Sequence, residues 1–453
     1  MGRISLEQAA KWCGGTIDPK YKDVTFLGAS NDTRTLEPGQ LFLALQGQRD
    51  GHDFVPAALE KKAAAVLCTH CDGDYPAIVV PDTRIALGDI AREERKRIGM
   101  KVVAITGSVG KSTTKEMTAA VLETTYRVAK TPVNHNNDIG MPMAILSMDE
   151  DVQIAVLEMG MSHFREIAYL GTIACPDVAV IINIGTMHIE HLGSVEGILQ
   201  AKLEILENMP KEGTVVLNGD DSLLWNQHKT SDRHPIYFGI RNPACSLLGK
   251  DVYEENEQLH IDVEQDGKEF PVVLNLEGEH FVHDALAAIA VGLEMNVSPE
   301  NIQKALSEFK NMSDRQHIFE KNGYTIIQDT YNAGPESMAA ALAVLGNKKG
   351  RHVAVLGDML ELGVCTQAEH YKVGRIAAER ADVLLAYGPN SERMLAGAVT
   401  GGMPHGRARG FTDQERLVQV LKHTVKPGDV ILFKGSHGMH MDQIMESFLQ
   451  EDN

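Results

Sequence analysis

From Thr106 to Thr113 the chain reads TGSVGKST, with two glycines, a lysine and several hydroxyls in one short turn. Gly107 and Gly110 let the backbone turn tightly, so that successive N–H groups face one concavity that attracts anions. A helix opening at Ser112 adds the positive end of its dipole. The Lys111 ammonium can reach the outer phosphates of a nucleoside triphosphate, and the Ser112 hydroxyl can ligate Mg²⁺. The spacing is G-x-x-G-K-S, with Ile105 where a full Walker A loop has its first glycine. A glycine turn that only joins a strand to a helix is the plain alternative. Strand, turn, Lys-Ser pair and helix together favour an ATP or GTP site.

Acidic, basic and imidazole groups follow at later positions. Glu158 directly succeeds IAVL. On a neighbouring strand it would stand beside the phosphate loop, either holding Mg²⁺ or serving as a solvated or N-capping acid. His188 and His191 follow the run AVIIN, and either is a chemical group or a plain loop residue. In VEGILQAKLEILENM, Lys202 falls within the apolar stripe of Val195, Ile198, Leu199, Leu206 and Met209. It either snorkels or is held for chemistry in a low-polarity site, where its pKa falls. The run Asn134-His135-Asn136-Asn137-Asp138 is a turn, or a set of neutral donors to a phosphoryl group.

Such groups need a rigid scaffold. KVVAIT, IAVLEMG, DVAVIINIG and TVVLNGD are apolar on both faces and alternate with helical patterns. They predict a central parallel-sheet, ATPase-like domain over 99–312, closed by helices in DALAAIAVGLEM and NIQKALSEF. YTIIQD, HVAVLGD, ADVLLAYG and DVILFKG predict a second, Rossmann-like unit over 313–453. GQLFLAL, AAAVLC and the helical FVPAALEKKA predict a small α/β domain over 1–98. The fold class is therefore α/β in three domains. Ligands in such sheets collect outside the carboxyl ends of the strands, so chemistry is expected where the two later domains face each other.

Composition bounds the partners. A chain of 453 residues with 43% hydrophobic and 23% charged residues is that of a soluble globular protein of two or three domains. A net charge of −19 argues against nucleic acid and anionic membrane surfaces. The N-terminus has no signal-peptide core and no run is long enough for a bilayer, so a cytoplasmic protein is expected. Six scattered cysteines do not suggest a disulfide framework. Cys68 and Cys71, with His70 between them, lack the second half of a zinc site and read as a strand end with incidental thiols.

TGSVGKSTT, NHNNDIGMP, LEMGMSHFREI, NIGTMHIEHLGS…AKLEI and NGDD stand in the order and spacing of the Mur ligases. The chain resembles that family along essentially its whole length. The resemblance implies a cytoplasmic, ADP-forming ligase of peptidoglycan biosynthesis that uses ATP and two Mg²⁺ ions. SNDTRTLEPGQLFLALQGQRDGHDF, QDTYNAGPESM, LGDMLELG and KGSHGMHMDQ are most similar to the branch that joins D-alanyl-D-alanine to UDP-N-acetylmuramoyl-tripeptide. The branch that adds the third amino acid would carry HTPD where this chain has YNAGP, and a DNPR string that is absent here. A sister ligase adding a single amino acid, a folylpolyglutamate-type enzyme and an ATP-driven switch remain the alternatives. A monomer is expected.

Carried over by position, the resemblance implies the following roles. Thr106, Gly107, Ser108, Val109, Gly110, Lys111, Ser112 and Thr113 bind the phosphates, with Asn134 and Asn137 beside the γ-phosphate. Ser112 and Glu158 belong to the first Mg²⁺, and His188 and a carbamylated Lys202 to the second. Arg315 and Asp329 reach the nucleotide from the third domain. Ser30, Asp32, Thr33, Arg34, Gly51, His52 and Asp53 hold the uridine diphosphate end, and Tyr331, Asn332 and Ser436 serve the dipeptide. Two positions depart from the family. Phe281 and Asp284 replace asparagines beside the adenine, where Phe281 can stack instead. His437 stands in place of an arginine.

Overall fold

Lys101–Thr106 has no polar side chain between Val102 and Ile105, and both of its faces are covered in the computed structural model, which describes residues 3–229 and 232–450. It lies between Ile154–Glu158 and Val178–Ile181, parallel to both. Val128–Lys130 forms the edge beyond Ile154–Glu158, while Thr214–Asn218 and Ile236–Gly239 extend the other side. The chain therefore reverses its direction of sheet growth around Lys101–Thr106. That reversal leaves a crevice at the strand's carboxyl end, where TGSVGKST begins.

Alternate side chains of these strands serve two cores. Val103, Ile105, Val156 and Val180 pack under the helices Lys111–Glu123 and His280–Glu294. Val102, Ala104, Ala155 and Leu157 face the other way, in a core shared with Leu87 and Ile90 of the helix Thr83–Ile98. Phe238 is fully buried in the first of these cores, and its truncation to alanine is expected to cost about 3–5 kcal/mol.

The central sheet is parallel as expected, and Leu247–Glu255, Gln258–Gln265 and Lys268–Leu274 extend it further as an antiparallel meander that the sequence analysis did not include. Leu259, Ile261 and Val263 alternate with polar residues and bury one face against the helix His280–Glu294. The turn at Asp266-Gly267 takes φ 51° and 74°, the left-handed pair that a two-residue hairpin demands.

The third segment forms a six-stranded sheet in which Tyr324–Asp329, Val430–Lys434, His352–Gly357, Val383–Tyr387 and Ala408–Phe411 are parallel neighbours. His317–Lys321 adds an antiparallel edge. The first segment carries a parallel sheet of Ala29–Ser30, Leu41–Leu43, Ala65–Cys68 and Ala77–Val79. The architecture is thus three α/β units in sequence. Cys68 closes the strand Ala65–Cys68 and is buried, with its thiol pushed up to about 12 by burial. Among the described residues no group of three or more His, Cys, Asp or Glu side chains is arranged to hold a metal, and no helix is long and apolar enough to cross a membrane.

Candidate active site

The carboxyl ends of the central strands and the third sheet enclose one cavity of about 1020 Å³. Ser108, Val109, Gly110, Lys111, Ser112 and Thr113 form its floor. Gly110 sits at φ 87° and turns the chain directly into the helix Lys111–Glu123. A side chain there would also collide with Asp284, whose Oδ1 lies 2.3 Å from the position of an added Cβ.

Asn183, a residue the sequence reading passed over, locks this turn. Its Oδ1 accepts the N–H groups of Ser108 at 3.0 Å and Val109 at 2.9 Å, and its amide donates to the Val109 carbonyl at 2.9 Å. The expectation that Ser108 and Val109 offer their N–H groups to phosphate is therefore corrected, because a side chain already uses them. Thr106 is buried, with its hydroxyl donating to the Met159 carbonyl at 2.9 Å, and it lies outside the cavity wall. The concavity is left to Gly110 through Thr113 and the helix N-terminus.

Behind the turn stands a buried polar cluster. The Ser112 hydroxyl donates to Glu158 Oε2 at 2.8 Å, and Asn136 donates to Glu158 Oε1 at 2.9 Å. Asn136 belongs to the polar run noted in the sequence, yet nothing there singled it out from its neighbours. Burial alone would raise the Glu158 carboxyl. Lys111, then the Asn136 and Ser112 hydrogen bonds, then Lys115 outweigh it and hold Glu158 below its ordinary value. Lys111 folds back on its own loop, donating to the carbonyls of Gly107 at 2.9 Å and Ser108 at 3.3 Å. Burial holds its pKa below the usual lysine value, against the pull of Glu158.

Lys202 lies on the helix Val195–Leu203, which Ser194 caps through the N–H of Gly197. Its side chain is buried and has no ion-pair partner among the described residues. Burial, and then the repulsion of Lys111, drives its pKa far below that of an ordinary lysine. Holding an unpaired ammonium there would cost several kcal/mol. With the whole side chain buried, its head does not reach water, which does not fit snorkelling, the first of its two readings. His188 lines the cavity and is likewise held low by burial, while Glu361 opposes the shift and Lys111 and Lys202 reinforce it.

The third sheet supplies the roof. Arg315 donates from Nη2 to Ser112 Oγ at 3.0 Å, and its guanidinium stacks on Tyr331 at 3.9 Å from the ring centroid. The Tyr331 hydroxyl donates to Asn134 Oδ1 across the domain boundary. Asp329 is engaged by Lys434 at 2.6 Å, a buried lysine the sequence reading did not identify. Asn137 lines the cavity but spends its Oδ1 on the N–H groups of Ile139 and Gly140. Asn332 is in the wall, and His437 is exposed beside Tyr331 with ring centroids 6.1 Å apart.

Ser436 does not reach the cavity. It is buried, its hydroxyl donating to the Ala333 carbonyl at 3.2 Å and accepting from the Leu360 N–H at 2.9 Å. The dipeptide role expected for it gives way to one inside the domain. Phe281 lines the cavity, but its ring is buried and packs on His280 at 4.1 Å, so little of it is free to stack on a base. Asp284 accepts the Thr114 hydroxyl at 2.9 Å, and burial pushes its carboxyl up to about 8. A neutral carboxyl at this position offers both a donor and an acceptor, as an amide does.

The residues expected to meet uridine diphosphate lie elsewhere. Ser30, Asp32, Thr33 and Arg34 form the turn after one strand of the first sheet, and Gly51, His52 and Asp53 follow the neighbouring strand. Their side chains largely satisfy one another. Arg34 forks onto Asp32, and His52 accepts the Thr69 N–H at 3.1 Å while facing Asp50. Among the described residues of this segment, Arg84 is the one that lines the cavity, tied to Asp138 at 3.0 Å.

Residues 105–292 match the Mur ligase middle domain, and residues 314–437 match the domain described as Mur ligase, glutamate ligase domain. A UDP-N-acetylmuramoyl-tripeptide–D-alanyl-D-alanine ligase from Bacillus subtilis is 38% identical over 99% of this chain and 99% of its own. The crystal structure of MurF from Acinetobacter baumannii superposes with a TM-score of 0.91 at 30% identity, covering 100% of both chains. MurF ligase from Thermotoga maritima, solved in complex with ADP, superposes with a TM-score of 0.82 at 29% identity over 93% of this chain and 97% of its own. With both later domains matched and a relative similar from end to end, this chain belongs to the Mur ligase family.

Proposed function

We propose that this protein joins D-alanyl-D-alanine to UDP-N-acetylmuramoyl-tripeptide at the expense of ATP, giving the pentapeptide precursor of peptidoglycan. The observation that carries this reading is the single cavity in which the phosphate turn of one domain meets Arg315 and Tyr331 of another. A simple switch has no need to enclose its phosphates between two domains, whereas a ligase must keep water from an activated acyl group.

The γ-phosphoryl group passes to the terminal carboxylate of the tripeptide and forms an acyl phosphate. The amine of the dipeptide then attacks the carbonyl, and inorganic phosphate leaves through a tetrahedral intermediate. Lys111 turns from the carbonyls of Gly107 and Ser108 to the triphosphate, whose charge favours its ammonium form. Arg315 adds a second fixed cation at Ser112.

Ser112 and Glu158 suit a hard cation, since their oxygens converge at 2.8 Å and phosphate and water can complete the set. His188 and Lys202 would suit a second ion once the Lys202 amine has taken up CO₂ as a carbamate. Mg²⁺ held in this way supplies charge stabilisation at the transferring phosphoryl group. The turns around Arg34 and His52 are the surface offered to uridine diphosphate.

The test is a parallel assay of ADP release with D-alanyl-D-alanine, diaminopimelate and glutamate, each with its cognate UDP precursor. Turnover with the dipeptide alone is expected. Turnover with a single amino acid and not the dipeptide would move the protein to a sister activity, and ATP hydrolysis without either acceptor would make it a switch.

A further inference from the structure

The loop Gly185-Thr186-Met187-His188 leaves the strand Val178–Ile181 and is gripped by the third domain at three successive residues. Thr186 donates its N–H at 3.1 Å and its hydroxyl at 3.2 Å to Glu336 Oε1. Met187 packs on Gly334, where an added Cβ would lie 2.9 Å from its Cγ. His188 Nδ1 lies 2.5 Å from Glu361 Oε2. Just beyond, Gly363 rests closely on Glu190, since a Cβ there would sit 3.1 Å from the Glu190 Cα.

The last pair has an unusual backbone. His188 sits at φ 64° and Glu361 at φ 61°, and neither is glycine. Left-handed conformations at such residues persist where surrounding contacts over-determine them, and they gather at functional sites. Nδ1 is buried, and among the described residues no other group pairs with it. The carboxylate stands off the line of the ring N–H, so a small turn of either group completes the hydrogen bond.

We propose that Glu361 is a positioning residue for the ligation proposed above: reaching across from the third domain, it holds the Nδ1 side of His188 and leaves Nε2 presented to the cavity. A neutral imidazole carries its proton on one nitrogen and a lone pair on the other, and the partner of one fixes the state of the other. Because the carboxylate comes from a different domain, the imidazole is aimed only when the domains are closed. Glu336 and Gly334 hold the same loop and make that closure specific to it.

The experiment uses the full chain labelled with ¹⁵N-histidine and bound to ADP, with the His188 signals assigned by their loss in His188→Gln. The parent is expected to show a protonated Nδ1 and an unprotonated Nε2. In Glu361→Ala the ring should shift toward the Nε2–H tautomer, and kcat should fall about 10- to 100-fold while KM for ATP stays within about two-fold. Glu361→Gln, which keeps an acceptor without the charge and guards against misfolding of the alanine variant, should retain the parent tautomer and an intermediate kcat. Identical His188 signals in parent and Glu361→Ala, or an unchanged kcat, would overturn the proposal. The spectrum needs only ADP, so failure of the dipeptide assay would sink the substrate reading without altering the His188 result.

Discussion

At the phosphate end of the cavity, Ser112, Asn136 and Glu158 are held by buried hydrogen bonds, whereas in the first domain Arg34 is 88% exposed and forks onto a carboxylate of its own turn. The first arrangement is finished before any ligand arrives. Desolvation has already lowered the pKa values of Lys111 and Lys202, and the Glu158 carboxylate that opposes it at Lys111 is fixed in place. The second is a set of solvated side chains whose mutual contacts are weak and exchangeable. Chemistry that must stabilise a transient charge gains from preorganisation, while capture of a stable diphosphate does not require it.

The contrast is broken most severely at Lys111. Lys111→Ala is expected to lower kcat about 10²- to 10³-fold, measured as ADP release with both substrates saturating. A loss confined to KM for ATP would reduce the residue to ground-state binding. Next comes Lys202→Ala, with a loss of about 10- to 100-fold that short-chain carboxylates should reverse. Full activity without added acid would refute the carbamate.

On the solvated side, Arg34→Ala should raise KM for the UDP precursor about ten-fold and leave kcat and the melting temperature unchanged. A fall in kcat at saturating precursor would mean that the first domain shares in the chemistry.

A separate effect falls on stability. Asp284, pushed up to about 8 by burial, is neutral in the folded protein at pH values where the unfolded chain, near 3.9, has ionised it. Its contribution is therefore complete below about pH 4 and lost as pH rises to about 8. Melting curves over that range should show the parent losing ground to Asp284→Asn, with the gap constant at higher pH. A gap that does not change with pH would show that Asp284 is charged.

The same contrast governs what could be read before the structure. The phosphate turn was legible because strand, glycines, Lys-Ser and helix are contiguous, and Lys202 because a cation in an apolar stripe breaks its pattern. Asn183, just past one strand, and Asn136, in the loop after another, act through single amides brought in from afar, and an asparagine in a loop carries no such contradiction. Lys434 closes an apolar strand that the sequence did reveal, but its partner Asp329 lies 105 residues away. The meander from Leu247 to Leu274 was missed although Asp266-Gly267 advertises a hairpin, since its charged outer face hides the alternation beneath. In the first domain, the side chains around Arg34 and His52 are polar residues of turns that oppose no trend, so only family likeness picked them out. Ser436 shows the limit of that likeness, for its hydroxyl is consumed inside the domain.

The central claim is that a phosphoryl group passes through the acceptor acid before the amide bond forms. Turnover with tripeptide precursor carrying ¹⁸O in its terminal carboxylate tests this directly, read by mass spectrometry of the released phosphate. One labelled oxygen per phosphate is predicted, and unlabelled phosphate during productive ligation would contradict the account.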